Sequence, residues 1–346
     1  MTHIKNTFTK ALVSSFTMAL LLSSSACSLM HDDYADCRQE LRVNFVYDMN
    51  MKFADAFKGQ VKNVTLHAYD ADGNLALEKT ESSDAILARG GYMTLDVKPG
   101  NYHLEVWAEG EQRQADSYVY GKPSANASTI SALDCRINRS SRYLDHDLTA
   151  LYHGLTDADL SLNGYGVKTA TVRLTKDTNN VRVVIQNASG KRLNADDFSF
   201  FIDDDNSWLA FDNSPLKEDS ITYTPWSQYD GTAGGTEENV AMKDAEKATT
   251  QMSAVVAEMT VNRLFTSKQP RLRVRNNTNG KTVFSIPLID YALLVKGNYN
   301  RSMSNQEYLD RQDEYNFIFF VDDNLNWLSA SIVVNSWRIV LQNTNM

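Results

Sequence analysis

Leu95-Asp-Val-Lys-Pro-Gly-Asn-Tyr-His-Leu-Glu-Val106 sets apolar residues at every second position on both sides of a Pro-Gly-Asn turn. Such alternation marks half-buried strands, and Pro followed by Gly fixes one backbone angle and frees the next, so the stretch predicts strand, tight turn, strand. The same grammar runs upstream through Leu41/Val43/Phe45/Tyr47 and Val64/Leu66/Ala68, with Asp70-Ala-Asp-Gly-Asn74 as another turn. It returns downstream in Ala170/Val172/Leu174, Val181/Val183/Ile185, Val255/Ala257/Met259/Val261, and Leu272/Val274 set between Arg271, Arg273 and Arg275. Residues 317–321 and 332–341 supply the last strands, the latter read as the closing strand of its own domain. Many short strands with regular turns predict an all-β chain of two tandem Greek-key β-sandwiches.

Helices are expected to be few and short. Residues 50–57 carry Phe53 and Phe57 one turn apart, residues 306–314 follow a Ser304/Glu307 capping box, and a third helix is expected over 143–152, stopping at Gly154. Two internal echoes stand out. Phe200-Phe-Ile-Asp-Asp-Asp-Asn-Ser-Trp-Leu209 matches Phe319-Phe-Val-Asp-Asp-Asn-Leu-Asn-Trp-Leu328, and Arg182-Val-Val-Ile-Gln-Asn187 matches Arg338-Ile-Val-Leu-Gln-Asn343. Their order is inverted between copies, which reads as similar strands of one second domain and not as a tandem repeat. The expected division is a first sandwich over 39–166 and a second over 167–346. The Gly-rich, polar stretch 226–247 is expected to be a long loop.

The N-terminus sets the compartment. Lys5 and Lys10 precede an apolar run from 11 to 22 and then Ser23-Ser-Ser-Ala-Cys27, the layout of a secretory signal peptide ending at residue 26. Small residues leading directly into a cysteine mark Cys27 as the expected lipidation site of a bacterial lipoprotein, with residues 27–38 as a tether. Twelve apolar-leaning residues fall short of the roughly 20 that span a bilayer. Of the remaining cysteines, Cys37 and Cys135 form the candidate disulfide pair outside the cytoplasm. Such a bridge would close a loop of roughly 100 residues, worth about 4.7 kcal/mol in the chain-entropy account.

The formal net charge of −9 opposes nucleic acid or anionic lipid as a partner. No nucleophile elbow, phosphate loop or metal-binding helix motif is present in the sequence, so no catalytic residue, metal or cofactor is expected. His146 and His153 would share a face of the 143–152 helix and read as exposed polar residues. Asp203-Asp-Asp205, Asp322-Asp323 and the Asp70/Asp72 pair lack the EF-hand ligand pattern and read as solvated hairpin tips. Among Trp107, Trp208, Trp226, Trp327 and Trp337, only Trp226 lies at the edge of a loop, where it could stack on a sugar; the others read as core or interface.

The strand-turn-strand around Pro99 resembles that of transthyretin-like sandwiches. Val43-Asn-Phe-Val-Tyr-Asp-Met-Asn-Met-Lys-Phe-Ala-Asp-Ala-Phe57 and Tyr69-Asp-Ala-Asp-Gly73 resemble the N-terminal domain of the FimB/Mfa-type fimbrium anchoring subunits of Bacteroidales. So do Ile286-Pro-Leu-Ile-Asp290, Gln306-Glu-Tyr-Leu-Asp-Arg-Gln-Asp-Glu-Tyr315 and Ser336-Trp-Arg-Ile-Val-Leu-Gln-Asn343 near the C-terminus. The resemblance implies a non-enzymatic, surface-exposed outer-membrane lipoprotein with two transthyretin-like domains, acylated at Cys27. It further implies that the protein holds the base of a fimbrium, with the shaft (major) subunit and accessory fimbrial subunits as partners through β-strand addition. The competing readings are a surface glycan-binding lipoprotein and, further behind, a hydrolase, for which no convergent carboxylates or nucleophile are visible.

Overall fold

A computed structural model describes residues 39–122, 129–161, 166–234, 251–297 and 300–340. Strand β1 (Gln39–Val46) turns Leu41, Val43 and Phe45 inward. The helix expected over 50–57 is a side-chain-braced turn instead. Asn50 Nδ2 donates to the Tyr47 and Ala54 carbonyls at 3.1 and 2.8 Å, and Asp55 Oδ1 accepts from the Tyr47 and Phe57 amides at 2.9 and 3.0 Å. Those bonds compete with helix formation and leave only the single turn α1 (Phe57–Gln60). Then follow β2 (Asn63–Asp70), β3 (Leu75–Ser82), α2 (Ser83–Ala88), β4 (Tyr92–Leu95) and β5 (Asn101–Glu109). The β2–β3 turn is the expected hairpin tip: Asp70 Oδ1 accepts from the Asp72 and Asn74 amides at 3.0 and 2.9 Å, and Gly73 takes a φ of 81°.

The chain continues through β6 (Tyr118–Tyr120), β7 (Asp134–Ile137), β8 (Tyr143–Leu144), β9 (Leu151–Asp159), β10 (Gly166–Arg173) and β11 (Thr175–Lys176). It then builds β12 (Thr178–Asn187), β13 (Phe198–Asp204), β14 (Trp208–Ala210), β15 (Ile221–Tyr223), β16 (Ser227–Gly234), β17 (Gln251–Asn262), β18 (Arg271–Asn276) and β19 (Thr282–Pro287). Helices α3 (Leu288–Leu293) and α4 (Asn305–Arg311) precede β20 (Glu314–Val321), β21 (Trp327–Val334) and β22 (Trp337–Val340). The predicted cap holds, with the Glu307 amide donating to Ser304 Oγ at 3.0 Å. None of the helices among the described residues is long and apolar enough to cross a membrane.

Sheets β10-β1-β4 and β11-β9-β5-β2-β3 enclose one apolar core. Sheets β16-β17-β12-β20-β21-β22 and β19-β18-β13-β15-β8 enclose the second, to which the three-stranded β14-β7-β6 adds Tyr118, Cys135, Ile137 and Leu209. The all-β architecture is therefore the expected one. Both sequence echoes fall in the second core: β12 and β22 share its six-stranded sheet, and β20–β21 mirrors β13–β14.

The cores divide the chain differently from the expected boundary at 166/167. Strand β10 pairs in parallel with β1, from Gln39↔Gly166 to Val46↔Arg173, so the chain returns to the first sandwich after leaving it. Meanwhile Tyr118, Cys135, Ile137, Leu144 and Leu148 are buried in the second core. A parallel pair needs a long crossover, and no local alternation reveals where that crossover ends.

Three further expectations change. The stretch 332–341, expected as one closing strand, is broken at Asn335 and Ser336 into the end of β21 and the paired strand β22. Residues 143–152 form no helix: β9 runs through His153 and Gly154. Gly154 is required by sheet convergence, because a Cβ there would lie 2.5 Å from Val172 Cγ1 and 2.9 Å from the Arg173 carbonyl oxygen. The start of the expected 226–247 loop is strand β16, paired antiparallel with β17, while residues 235–250 lie outside the described ones.

Candidate docking edge

Residue 177 is where the chain passes from the first core into the second. Asp177 is fully buried and accepts from Asn213 Nδ2 at 2.9 Å, with Arg263 3.8 Å away. That guanidinium is committed elsewhere: its Nε and Nη2 grip the two oxygens of Asp310 on α4, each at 2.8 Å. Arg311 of the same helix donates to the Asp48 carbonyl at 3.0 Å and stands 4.4 Å from the Phe53 ring. Lys176 and Asp313 add an ion pair at 2.6 Å. Helix α4 is thus clamped between the two sandwiches.

Beyond α4, β20 is central and β22 forms the margin of the six-stranded sheet. The β21–β22 hairpin turns on Asn335 and Ser336, both at positive φ (46° and 71°), the signature of a two-residue type I′ turn whose twist matches the strands. The turn is fixed to the sheet, since the Asn316 amide donates to Asn335 Oδ1 at 2.7 Å and the Asn335 amide to the Asn316 carbonyl at 2.9 Å. In such a hairpin Val334 and Trp337 exchange both backbone bonds. Strand alternation then points the Arg338 and Val340 amides away from β21, and among the described residues no strand meets them.

A groove of about 830 Å³ lies beside this hairpin, bounded by Trp337, Asn316, Tyr308, Leu294 and Met51. Trp337 is 70% exposed and Leu294 44% exposed, an apolar pair on the wall of that groove. Two other sheet margins carry devices against unplanned pairing: β3 has Glu78, Lys79 and Glu81, and β19 ends in Pro287. The described part of β22 opens on Trp337 and carries a single charged residue, Arg338, and no proline.

The residues singled out from sequence scatter. Cys27 and Cys37 lie outside the described residues, and the proposed Cys37–Cys135 pairing with them. Cys135 sits inside the second core, where burial pushes its thiol well above the ordinary value. His153 is buried, donates its Nε2–H to the Phe211 carbonyl at 2.8 Å, and has its pKa lowered to about 4 by burial, so it is neutral. It shares no helix with His146. The acidic runs differ from each other: Asp322 caps a hairpin tip as expected, whereas Asp203 pairs with Arg273 at 2.8 Å, Asp205 with Lys268 at 2.8 Å, and Asp204 is buried. Trp107 is buried, as expected of a core residue, while Trp337 is the most exposed of the described large hydrophobics. Trp226, 40% exposed, lines a separate hollow of about 310 Å³ with Arg182, Glu258, Thr260 and Asp147.

Sequence reasoning missed the Asp177–Arg263–Asp310 cluster and the His67–Glu105 pair (2.8 Å) buried on the outer face of the first core. Their members are far apart in the chain and join only through sheet register.

Burial pushes Asp177 up to about 7, with Arg263 and Asn213 opposing, and Asp204 likewise to about 7. An unfolded Asp loses its proton near pH 4, so the native state holds more protons between about 4 and 7, and stability falls as pH rises through that window. Asp177→Asn is expected to remove part of this slope, on the order of 2 kcal/mol between pH 5 and 8. Urea midpoints of both proteins at the two pH values measure it, and parallel slopes would refute the assignment.

Comparison with known proteins places the fold. A family model described as fimbrillin-A associated anchor proteins Mfa1 and Mfa2 matches residues 34–343. Among curated proteins, none matches the chain. A solved structure from Bacteroides thetaiotaomicron, described as a proposed adhesin, is 31% identical with a TM-score of 0.75 and covers 87% of this chain and 97% of its own. A second from the same organism, described as a proposed polysaccharide binding protein, is 29% identical with a TM-score of 0.73, covering 89% and 100%. The fimbrial anchor protein Mfa2 of Porphyromonas gingivalis shares the fold at 18% identity, with a TM-score of 0.63 and coverage of 88% and 100%.

Proposed function

The chain belongs to the family of fimbrillin-A associated anchor proteins, and from that premise we propose that it fastens the base of a fimbrium to the outer membrane through two separate devices. One is acylation at Cys27, which holds the protein in the bilayer. The other is the margin of β22, which takes an extended segment of the first shaft subunit as a further strand.

The observation that carries the second device is the outward main-chain row of β22 beside the groove of Trp337 and Leu294. Strand addition draws affinity from main-chain bonds and specificity from pockets for alternate side chains, and this hairpin supplies both. The Arg263–Asp310 and Arg311–Asp48 contacts supply stiffness, so a pull on the docked strand is passed through α4 to the first sandwich and on toward the tether.

Hydrogen exchange on the full chain tests this reading. The Arg338 and Val340 amides are expected to exchange freely in the isolated protein and to be protected once a fimbrial shaft subunit is added. Unchanged exchange at those two amides in the complex would move the junction elsewhere.

Glycan binding is less well supported. The hollow beside Trp226 has that one half-exposed ring, and its other aromatic, Tyr315, is buried.

A further inference from the structure

Strand β18 reads Arg271-Leu-Arg-Val-Arg275, and Leu272 and Val274 are fully buried, so the three arginines stand on the outer face of their sheet. Two residues of strand separate neighbours by about 7 Å. Register places Asp203 beside Arg271, Phe201 beside Arg273 and Ser199 beside Arg275 on β13, with Ser285 across from Arg273 on β19. Arg142 completes the face, reaching Thr222 Oγ1 at 3.1 Å.

Four guanidinium groups therefore face one carboxylate. Asp203 is shared by Arg273 at 2.8 Å and Arg142 at 3.9 Å. Arg271 bonds only to neutral groups, the Ser285 hydroxyl and carbonyl, both at 3.1 Å. Among the described residues Arg275 has no acidic partner within ion-pair distance, and both Arg271 and Arg275 are exposed. Rings lie under two of the cations: Phe201 4.8 Å from the Arg273 guanidinium and Tyr143, 54% exposed, 5.6 Å from that of Arg142.

Arginine stems commonly cover the outside of a sheet, and that alone would explain one such residue. Two arginines without an acidic partner, Arg271 and Arg275, beside two that share Asp203 make this face more cationic than a chain of net charge −9 is on average, which favours the approach of an anionic surface there. Neither of the two hollows described above is lined by Arg271, Arg273 or Arg275.

We propose that this arginine face lies against the phosphate headgroup layer of the membrane and sets the orientation of the tethered protein. The inference rests on the lipid-tether reading above. A tether confines the chain near the bilayer, so contacts too weak to bind a free protein become intramolecular and decide which face turns down. Exposed Tyr143 at the rim suits such a boundary, its ring apolar and its hydroxyl wet.

Residue-resolved arginine modification by phenylglyoxal tests the proposal on the acylated full-length protein in vesicles. Arg271 and Arg275 are expected to react about fivefold more slowly on vesicles containing phosphatidylglycerol than on phosphatidylcholine alone, with the protection lost in high salt, while Arg89 on the first sandwich reacts equally on both. In an Arg271→Ser/Arg275→Ser variant, Arg142 should lose its protection as well. Equal rates on the two vesicle types would overturn the proposal. So would protection by soluble polygalacturonate in the absence of any vesicle effect, which would assign the face to an acidic polymer. Failure of the tether itself registers separately, as protein missing from the phosphatidylcholine vesicles.

Discussion

Cys27→Ala is expected to shift the protein, and the fibres with it, from the membrane fraction into the medium by at least tenfold, while the thermal midpoint of the folded part stays unchanged. Each buried methylene contributes about 0.8 kcal/mol, and a single acyl chain binds only marginally, so stable retention takes several chains on one residue. Removing that residue removes every chain at once. The arginine face cannot substitute, since basic groups near an anionic surface contribute only about 1 kcal/mol each and are screened by salt. Nor should the fold respond: among the described residues the first strand begins at Gln39, and the junction contacts at Asp48, Asp177, Arg263 and Asp310 lie far along the chain from Cys27. Fractionation of cells by blotting, with electron microscopy of the medium for released fibres, reads the first effect, and calorimetry the second. Variant protein still on the membrane with its fibres would show that another feature does the holding.

Strand content was legible in the sequence because alternation is local. Val64/Leu66/Ala68 and Val181/Val183/Ile185 announce their faces within six residues, and the Asp70–Asn74 turn carries its own hydrogen bonds. What decided the partition into cores was not local. The parallel pairing of β1 with β10 joins residues more than a hundred positions apart, and β7 and β8 join the second core by pairing with the distant β14 and β15. The misread helix over 143–152 has the same origin, because Gly154 resembles a helix stop in sequence and a sheet-crossing point in space. For the proposed site, residue order supplies Cys27 as an expectation that lies outside the described residues, whereas the Arg338 and Val340 amides acquire meaning only once β22 is seen at a sheet margin. Asp203-Asp-Asp205 shows the limit of composition most plainly. One acidic triplet resolves into two ion-paired surface groups and one buried acid.

Arg338→Pro should weaken capture of a shaft subunit by roughly ten- to a hundredfold and leave the fold intact, if docking runs through the β22 main chain. The type I′ turn at Asn335-Ser336 makes Val334 and Trp337 the bonded pair, so the Trp337 and Ile339 amides serve β21 and the Arg338 amide points out. Proline at 338 deletes that one outward donor without touching the β21 ladder, and an edge strand tolerates its ring. An incoming strand would then bury a carbonyl with no partner, at a cost of about 1–3 kcal/mol, where 1.4 kcal/mol is tenfold in affinity. Arg338→Ala keeps the amide and is the control: it should bind within about twofold of the parent. Surface-plasmon dissociation rates against an immobilised shaft subunit measure both variants, and a thermal midpoint within a few degrees of the parent excludes misfolding. Full binding by Arg338→Pro would rule out the β22 margin as the junction. Equal loss in Arg338→Ala would place the recognition in the guanidinium and not in the backbone, and strand addition at this edge would fall with it.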